Sequence, residues 1–483
     1  FYWYSQVAEQ GYASAQFNVA NGYYYGIGTN KNLEQALHWF EVAAEGDFVN
    51  AQYNLAIMYR RGEGVEIDNT KALYWYTRAA NLDYVPAQLN LARLYEFGVG
   101  TERDLTLAQK WYEKAANQLN PEAQFYLADF YERESDSNEA LDFYKKSADQ
   151  GFVGAQARLS VLYHKGYLVQ QNDTEALRWA LMAANQNDAE SQFLAGSIYH
   201  KSLQIEQSLP NAVFWYEKAA SNGQAQAQYN LASLYLNGEE VEQDTNKAFA
   251  LYEQSATQGL ADAQYAVALA YLRGQGVKED SQEAVEWLTK AAKAGHELAQ
   301  YSLALRYQLG QGVDKDLEQQ YYWYQKSALQ GNVEARYNVA LLLLTGDGID
   351  QDAKTALSTL LDLSTQGHAL SHYQLYLIYS TGELFEKDDD LAKIYLLKAA
   401  ESGHSESQYQ LGKRFFDQVV NKDAVYWLNL ANKQNYTPAE TLLSKIDQIQ
   451  QITQIVFDKQ EPVPVITKMP AAPVVPASVK VTK

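Results

Sequence analysis

The chain has 483 residues, with 39 lysines and arginines against 59 aspartates and glutamates, a formal net charge of −20 and no cysteine. The acidic balance argues against a nucleic-acid partner, because phosphate binding depends on cationic neutralisation. The missing thiols exclude disulfides, thiolate metal sites and a cysteine nucleophile.

No run approaches the roughly 18 apolar residues that a membrane span needs, the richest being Val339 to Leu344. The chain opens without Met on Phe1-Tyr2-Trp3-Tyr4. These residues align with Leu73 to Tyr76 in the middle of a helix, so the expectation is a half unit whose beginning, with any signal peptide or lipid anchor, lies upstream.

The pattern is written in full over Ala51 to Pro86. Gln52, Leu55, Ala56 and Tyr59 make one stripe of a helix, termed helix A. Gly62-Glu63-Gly64-Val65 breaks it, and Asp68-Asn69-Thr70 are residue types that cap a helix N-terminus. Ala72, Trp75, Tyr76 and Ala79 then stripe a second helix, helix B. The small residue at 51 recurs at 15, 87, 123, 155, 191, 227, 263, 299, 335, 371, 407 and 439. The steps are 36 residues, except 123 to 155 and 407 to 439, which are 32 and lack Gly-x-Gly. Such a period predicts stacked two-helix units that share one continuous core.

Columns through the repeat separate scaffold from surface. All nine tryptophans fall in the Trp75 column and read as core. Alanine fills the Ala72 column except at Gln320, which implies close helix approach. The Asp68 column reads as N-caps rather than a metal ladder, and the paired glycines as turns rather than a nucleotide loop. His296, His368 and His404 read as wedges at one inter-unit position. His368 and His372 have metal-ligand spacing but no third ligand nearby, and His164 and His200 read as exposed. No catalytic residue, cofactor or metal is expected.

These residues resemble the Sel-one-like repeat (SLR) family, relatives of the tetratricopeptide repeat. The likeness rests on Ala51-Gln52-x-x-Leu55-Ala56-x-x-Tyr59, Gly62-x-Gly64-Val65 and Asp68-x-x-Lys71-Ala72-x-x-Trp75-Tyr76-x-x-Ala79-Ala80, and runs to about residue 440. It implies an all-α fold, a right-handed α-solenoid superhelix of antiparallel helix pairs with helices A on the inner face. It also implies scaffold or adaptor work on protein or peptide partners, in bacteria often at the envelope. A cysteine-rich branch of the family is linked to β-lactam chemistry; this chain has no cysteine. Action on cell-wall or β-lactam-like substrates, or membrane-tethered signalling through an upstream anchor, are the alternatives.

The expected organisation is a solenoid over 1–437, a capping helix over 438–457 and a Pro/Val/Lys-rich extended tail over 458–483. The tail is either a disordered end or a peptide that docks on a partner or on the protein's own groove. The inner face turns aromatic and apolar late in the chain, with Tyr229, Tyr265, Tyr301, Tyr337 and Tyr373 in one column. Leu269, Leu305, Leu341 and Leu377 follow in a second, and Leu236, Leu272 and Leu344 in a third. These twelve are the candidate partner-binding residues, since tyrosine and leucine at exposed columns anchor peptides. The same residues also suit an inner wall packed against neighbouring units.

Overall fold

In the computed structural model, residues 1–418 and 422–457 are described. They form 26 helices, and no strand occurs among them. A short helix Tyr2–Ala8 comes first. Twelve pairs follow, from Ala13–Tyr25 with Leu33–Glu45 to Ser405–Gln418 with Lys422–Asn432, and Thr437–Phe457 closes the series. The expected tail over 458–483 lies outside the described residues. The chain divides into two compact units, Phe1–Gln243 and Asp244–Lys483, and each is treated separately. Within each unit every helix packs on its sequence neighbours.

Punctuation follows the repeat. Most helices A end at a left-handed glycine whose N–H bonds the carbonyl four residues back, as Gly62 does to Met58, while Pro121–Arg133 ends on Glu134 and Ala189–Lys201 on Ser202. The second glycine of each pair is needed for a different reason. A Cβ on Gly64 would stand 2.7 Å from the backbone of Leu33, the first residue of the preceding helix B, and one on Gly312 would stand 2.0 Å from Ser281 O. Helix B then starts on a side-chain cap. Asp68 accepts from Lys71 N at 2.9 Å and Asp104 from Leu107 N at 2.9 Å, so the Asn and Asp members of the column cap their helices, whereas Ser208 makes no side-chain cap bond.

The core has a deeper layer than the tryptophans. Trp75, Trp179, Trp215, Trp287 and Trp323 are buried, but Trp39, Trp111 and Trp427 are only half-buried. Trp3 is 78% exposed, contrary to expectation; among the described residues the helix that carries it packs chiefly on the following helix. The next residue along helix B is buried more completely: Phe40, Tyr76, Tyr112, Tyr144, Tyr216 and Tyr324 show at most 1% of their surface. Alanines at 72, 108, 140 and 176 are fully buried beside it, where a larger side chain would hold the helices apart. At the other end, Ala439 and Ile446 of the final helix are buried with Leu428 and Ala431 of the preceding helix B.

A polar bolt runs through this apolar stack. The glutamine at position 52 of the repeat is buried, and its Nε2 donates to a carbonyl in the last turn of the preceding helix B. Gln88 reaches Ala80 O at 3.1 Å, Gln156 reaches Ala148 O at 3.0 Å and Gln300 reaches Ala292 O at 3.0 Å. Its Oε1 accepts from an amide just beyond the next helix B. Gln118 donates to Gln88 at 2.8 Å, Gln186 to Gln156 at 2.8 Å and Gln330 to Gln300 at 2.8 Å. One side chain thus joins three successive helices and gives a second donor to a carbonyl that already accepts the N–H three residues on, as Ala292 O does from Gly295.

The amide donor is missing where Leu82 and Ala294 stand in its column, and the Oε1 atoms of Gln52 and Gln264 are left unpaired. Leu82→Gln and Ala294→Gln should therefore each stabilise their unit by about 1 kcal/mol, read as a higher urea midpoint at unchanged slope. A lower midpoint for both variants would refute the bolt.

Candidate functional site

Helices A of neighbouring repeats lie side by side, Val85–Phe97 against Pro121–Arg133 and Val153–Lys165 against Ala189–Lys201 in the first unit. The face they share is polar there. Arg60 Nη1 donates to Asn90 Oδ1 at 3.3 Å, and Asn90 donates to the Tyr53 hydroxyl at 3.3 Å. The Arg93 guanidinium lies 5.5 Å above the Tyr126 ring. Glu96 is 5% exposed and accepts from the Tyr112 hydroxyl and from Arg133, both at 2.8 Å. Glu132 likewise takes the Tyr144 hydroxyl at 2.7 Å and Arg158 Nε at 3.0 Å. Burial first, and the Glu96 charge second, push the Tyr112 phenol well up, so it remains a donor.

These carboxylates belong to a pairing that several repeats share, in which the residue at position 60 meets the deep residue of the following helix B and matches its polarity. Glu96 serves Tyr112, His200 approaches the Tyr216 hydroxyl at 3.4 Å, and Gln308 accepts from Tyr324 at 2.8 Å. Before Leu288, Leu360 and Leu428 position 60 is apolar, whereas Ser380 stands before Leu396 and Leu236 before Tyr252. Leu344 packs in one cluster with Leu360, and Leu272 stands in the same register before Leu288. Position 60 therefore becomes apolar partly for a core reason, since a buried hydroxyl needs a partner and a leucine does not.

The predicted residues sort accordingly. Leu344, expected on the surface, is 4% exposed and belongs to the core. The other eleven are half-buried: Tyr229 and Leu236 in the first unit, and Tyr265, Leu269, Leu272, Tyr301, Leu305, Tyr337, Leu341, Tyr373 and Leu377 in the second. One side of several tyrosine rings rests on the next repeat. Tyr265 lies 4.6 Å from the His296 ring, Tyr337 5.2 Å from His368 and Tyr373 4.4 Å from His404. Burial raises the phenol pKa of Tyr301 and Tyr337. In the second unit the half-buried tyrosine and leucine stand one turn apart on four helices, at 265/269, 301/305, 337/341 and 373/377.

The histidines are structural. His372 replaces the bolt glutamine: its Nε2 donates to Ser364 O at 3.0 Å and its Nδ1 lies 3.2 Å from the Ser402 hydroxyl. His164 and His200, expected to be exposed, are half-buried, with His164 Nδ1 2.8 Å from Asp173 Oδ1. Sequence columns showed these positions but not their partners, which sit a fixed interval away on another helix. Among the described residues no group of three His, Asp or Glu side chains is placed to hold a metal ion. No described helix is long and apolar enough to cross a membrane.

Comparison with known proteins places the repeat. The Sel1 repeat family model matches twelve times, over 13–48, 49–84, 85–118, 121–152, 153–188, 189–224, 225–260, 261–296, 298–332, 333–358, 369–404 and 405–436. Among solved structures the chain is similar to c5321, a protective antigen of uropathogenic Escherichia coli strains with an SLR fold. The identity is 27%, with 96% of this chain and 99% of that one covered at a TM-score of 0.65. It is also similar to a Sel1 repeat protein from Oxalobacter formigenes at 32% identity, covering 62% of this chain and 88% of that one with a TM-score of 0.52. No curated protein matches.

The polarity match predicts a compensating pair. Gln308→Leu should cost about 1–2 kcal/mol by stranding the Tyr324 hydroxyl, and adding Tyr324→Leu should recover part of that loss. Equal stability of the two variants in denaturant titrations would refute the pairing.

Proposed function

We propose that this chain, which belongs to the Sel1-repeat family, is a non-enzymatic scaffold that holds a partner protein or peptide along the helix A face of its second unit. Sel1-repeat folds generally serve as protein-interaction scaffolds, and this is the frame in which the face is read. The supporting observation is the fourfold recurrence of a half-buried tyrosine and leucine one turn apart. Each pair keeps part of its apolar area open while its neighbours hold the ring in place. Rigid, amphipathic side chains of this kind anchor peptides at small entropic cost.

The first unit contrasts with it. Arg93 and Asp129 stand where the second unit has Leu269 and Leu305, and its charges are already paired or laid over rings. Such a face contributes polar contacts and partner discrimination more than affinity. A bacterial origin belongs to this reading, in line with the two solved relatives.

Peptides selected from a displayed random library on the full chain should bind the native protein and lose about tenfold or more in affinity with Tyr301→Ala plus Tyr337→Ala, at a nearly unchanged melting temperature. Selected peptides that bind the double variant equally well would overturn the assignment. So would a collapsed melting transition, which would show that the rings serve packing alone.

A further inference from the structure

Three of the seven histidines occupy one slot in the second unit. His296, His368 and His404 stand immediately before the helices Glu297–Leu309, Ala369–Thr381 and Ser405–Gln418. In each, Nδ1 accepts the backbone N–H three residues on: Ala299 at 3.1 Å, Ser371 at 3.3 Å and Ser407 at 3.3 Å. The Ser371 and Ser407 hydroxyls lie 2.8 and 2.9 Å from the same nitrogen. A ring nitrogen that accepts a backbone N–H carries no proton, so all three rings are neutral in this arrangement. The same slot holds Phe48 and Tyr84 without a side-chain cap, and Asn120 and Asn332 with one.

We propose that His296, His368 and His404 form an acid-sensitive latch. Protonation of the rings removes three helix caps together and frees Tyr265, Tyr337 and Tyr373 from the rings they rest on, which loosens the helix A N-termini of the second unit. A cationic ring cannot accept the N–H, and it places positive charge at the positive end of the helix.

The surroundings supply the second state. Asp262 lies 3.4 Å from His296 Nε2 and Glu334 lies 3.3 Å from His368 Nε2, each from the preceding helix A beside Tyr265 and Tyr337. Both carboxylates hold a charged ring by its outer edge once Nδ1 has lost the cap. His404 faces Tyr373 across the repeat boundary and Glu406 on its own helix, and Glu297 follows His296. His372 lies one turn beyond His368, with Lys398 near it. Burial lowers the pKa of His296 and His404 below 6.5, against the weaker pull of these carboxylates. The open state therefore takes up protons first. The His296 and His404 caps hold fully above about pH 6.5 and weaken as the pH falls below it.

The test is site-resolved amide hydrogen exchange on the full chain at about pH 7.5 and about pH 5.5, expressed as protection relative to the intrinsic rate at each pH. Protection of the Ala299, Ser371 and Ser407 amides should fall about fivefold in acid, while that of Ala123, capped by Asn120, should not. With His296→Asn, His368→Asn and His404→Asn the fall should vanish, because asparagine caps this slot without titrating. Single Asn variants, each silencing its own amide, give the same reading should the triple variant fail to fold. An unchanged native protection, or an equal fall in the Asn variants, would overturn the latch.

Discussion

The stack depends on one buried amide repeated through the chain. Apolar area makes the helices adhere, but area is non-directional and would accept several registers. The glutamine bolt is directional. Its Nε2 fixes the end of one helix B and its Oε1 fixes the residue after the next, so a repeat that slides or rotates strands both atoms away from water. The fully buried alanines at 51, 56, 72 and 79 bring the backbones close enough for that reach. The second glycine of each pair does the same work on the loop side, where any Cβ would collide with the preceding helix B.

With register fixed internally, position 60 and the half-buried tyrosine column are free to vary, within limits. The deep residue of helix B bears on position 60 in several repeats: the Tyr112 and Tyr324 hydroxyls have polar partners there, and Leu360 packs with Leu344. The change from Glu96 and Glu132 to Leu272 and Leu344 is therefore a core event with a surface consequence. Tyrosine and leucine at 265/269, 301/305, 337/341 and 373/377 carry less of that constraint, because neither member is fully buried. Those positions hold the working surface in the proposed reading, and the histidine caps beneath three of the tyrosines couple that surface to pH.

Much of this was legible in the sequence because the repeat supplies its own controls. The period gave the helix pairs, the Asp68 column gave the caps and the Ala72 column gave the close packing, each by simple recurrence. Burial depth was less legible. Tryptophan drew attention for its size, whereas the tyrosine beside it is the deeper residue, since one step around helix B turns a side chain from the rim to the centre. Leu344 was misplaced for a related reason: its column looked variable, and only its packing with Leu360 shows why. The histidine caps were hidden because Nδ1 reproduces an asparagine side-chain oxygen that no apolar pattern records.

Removal of a single bolt tests the account most directly. Gln300→Leu removes one of two donors to Ala292 O and one of two acceptors of the Gln330 amide, which keep Gly295 N and Gly295 O, a loss of about 1–2 kcal/mol confined to neighbouring repeats in a nearest-neighbour stack. Hydrogen exchange should quicken in the helices Ser281–Lys293, Glu297–Leu309 and Leu317–Leu329 and stay unchanged in the first unit. Unchanged exchange in those three helices, or an equal rise throughout the chain, would contradict it.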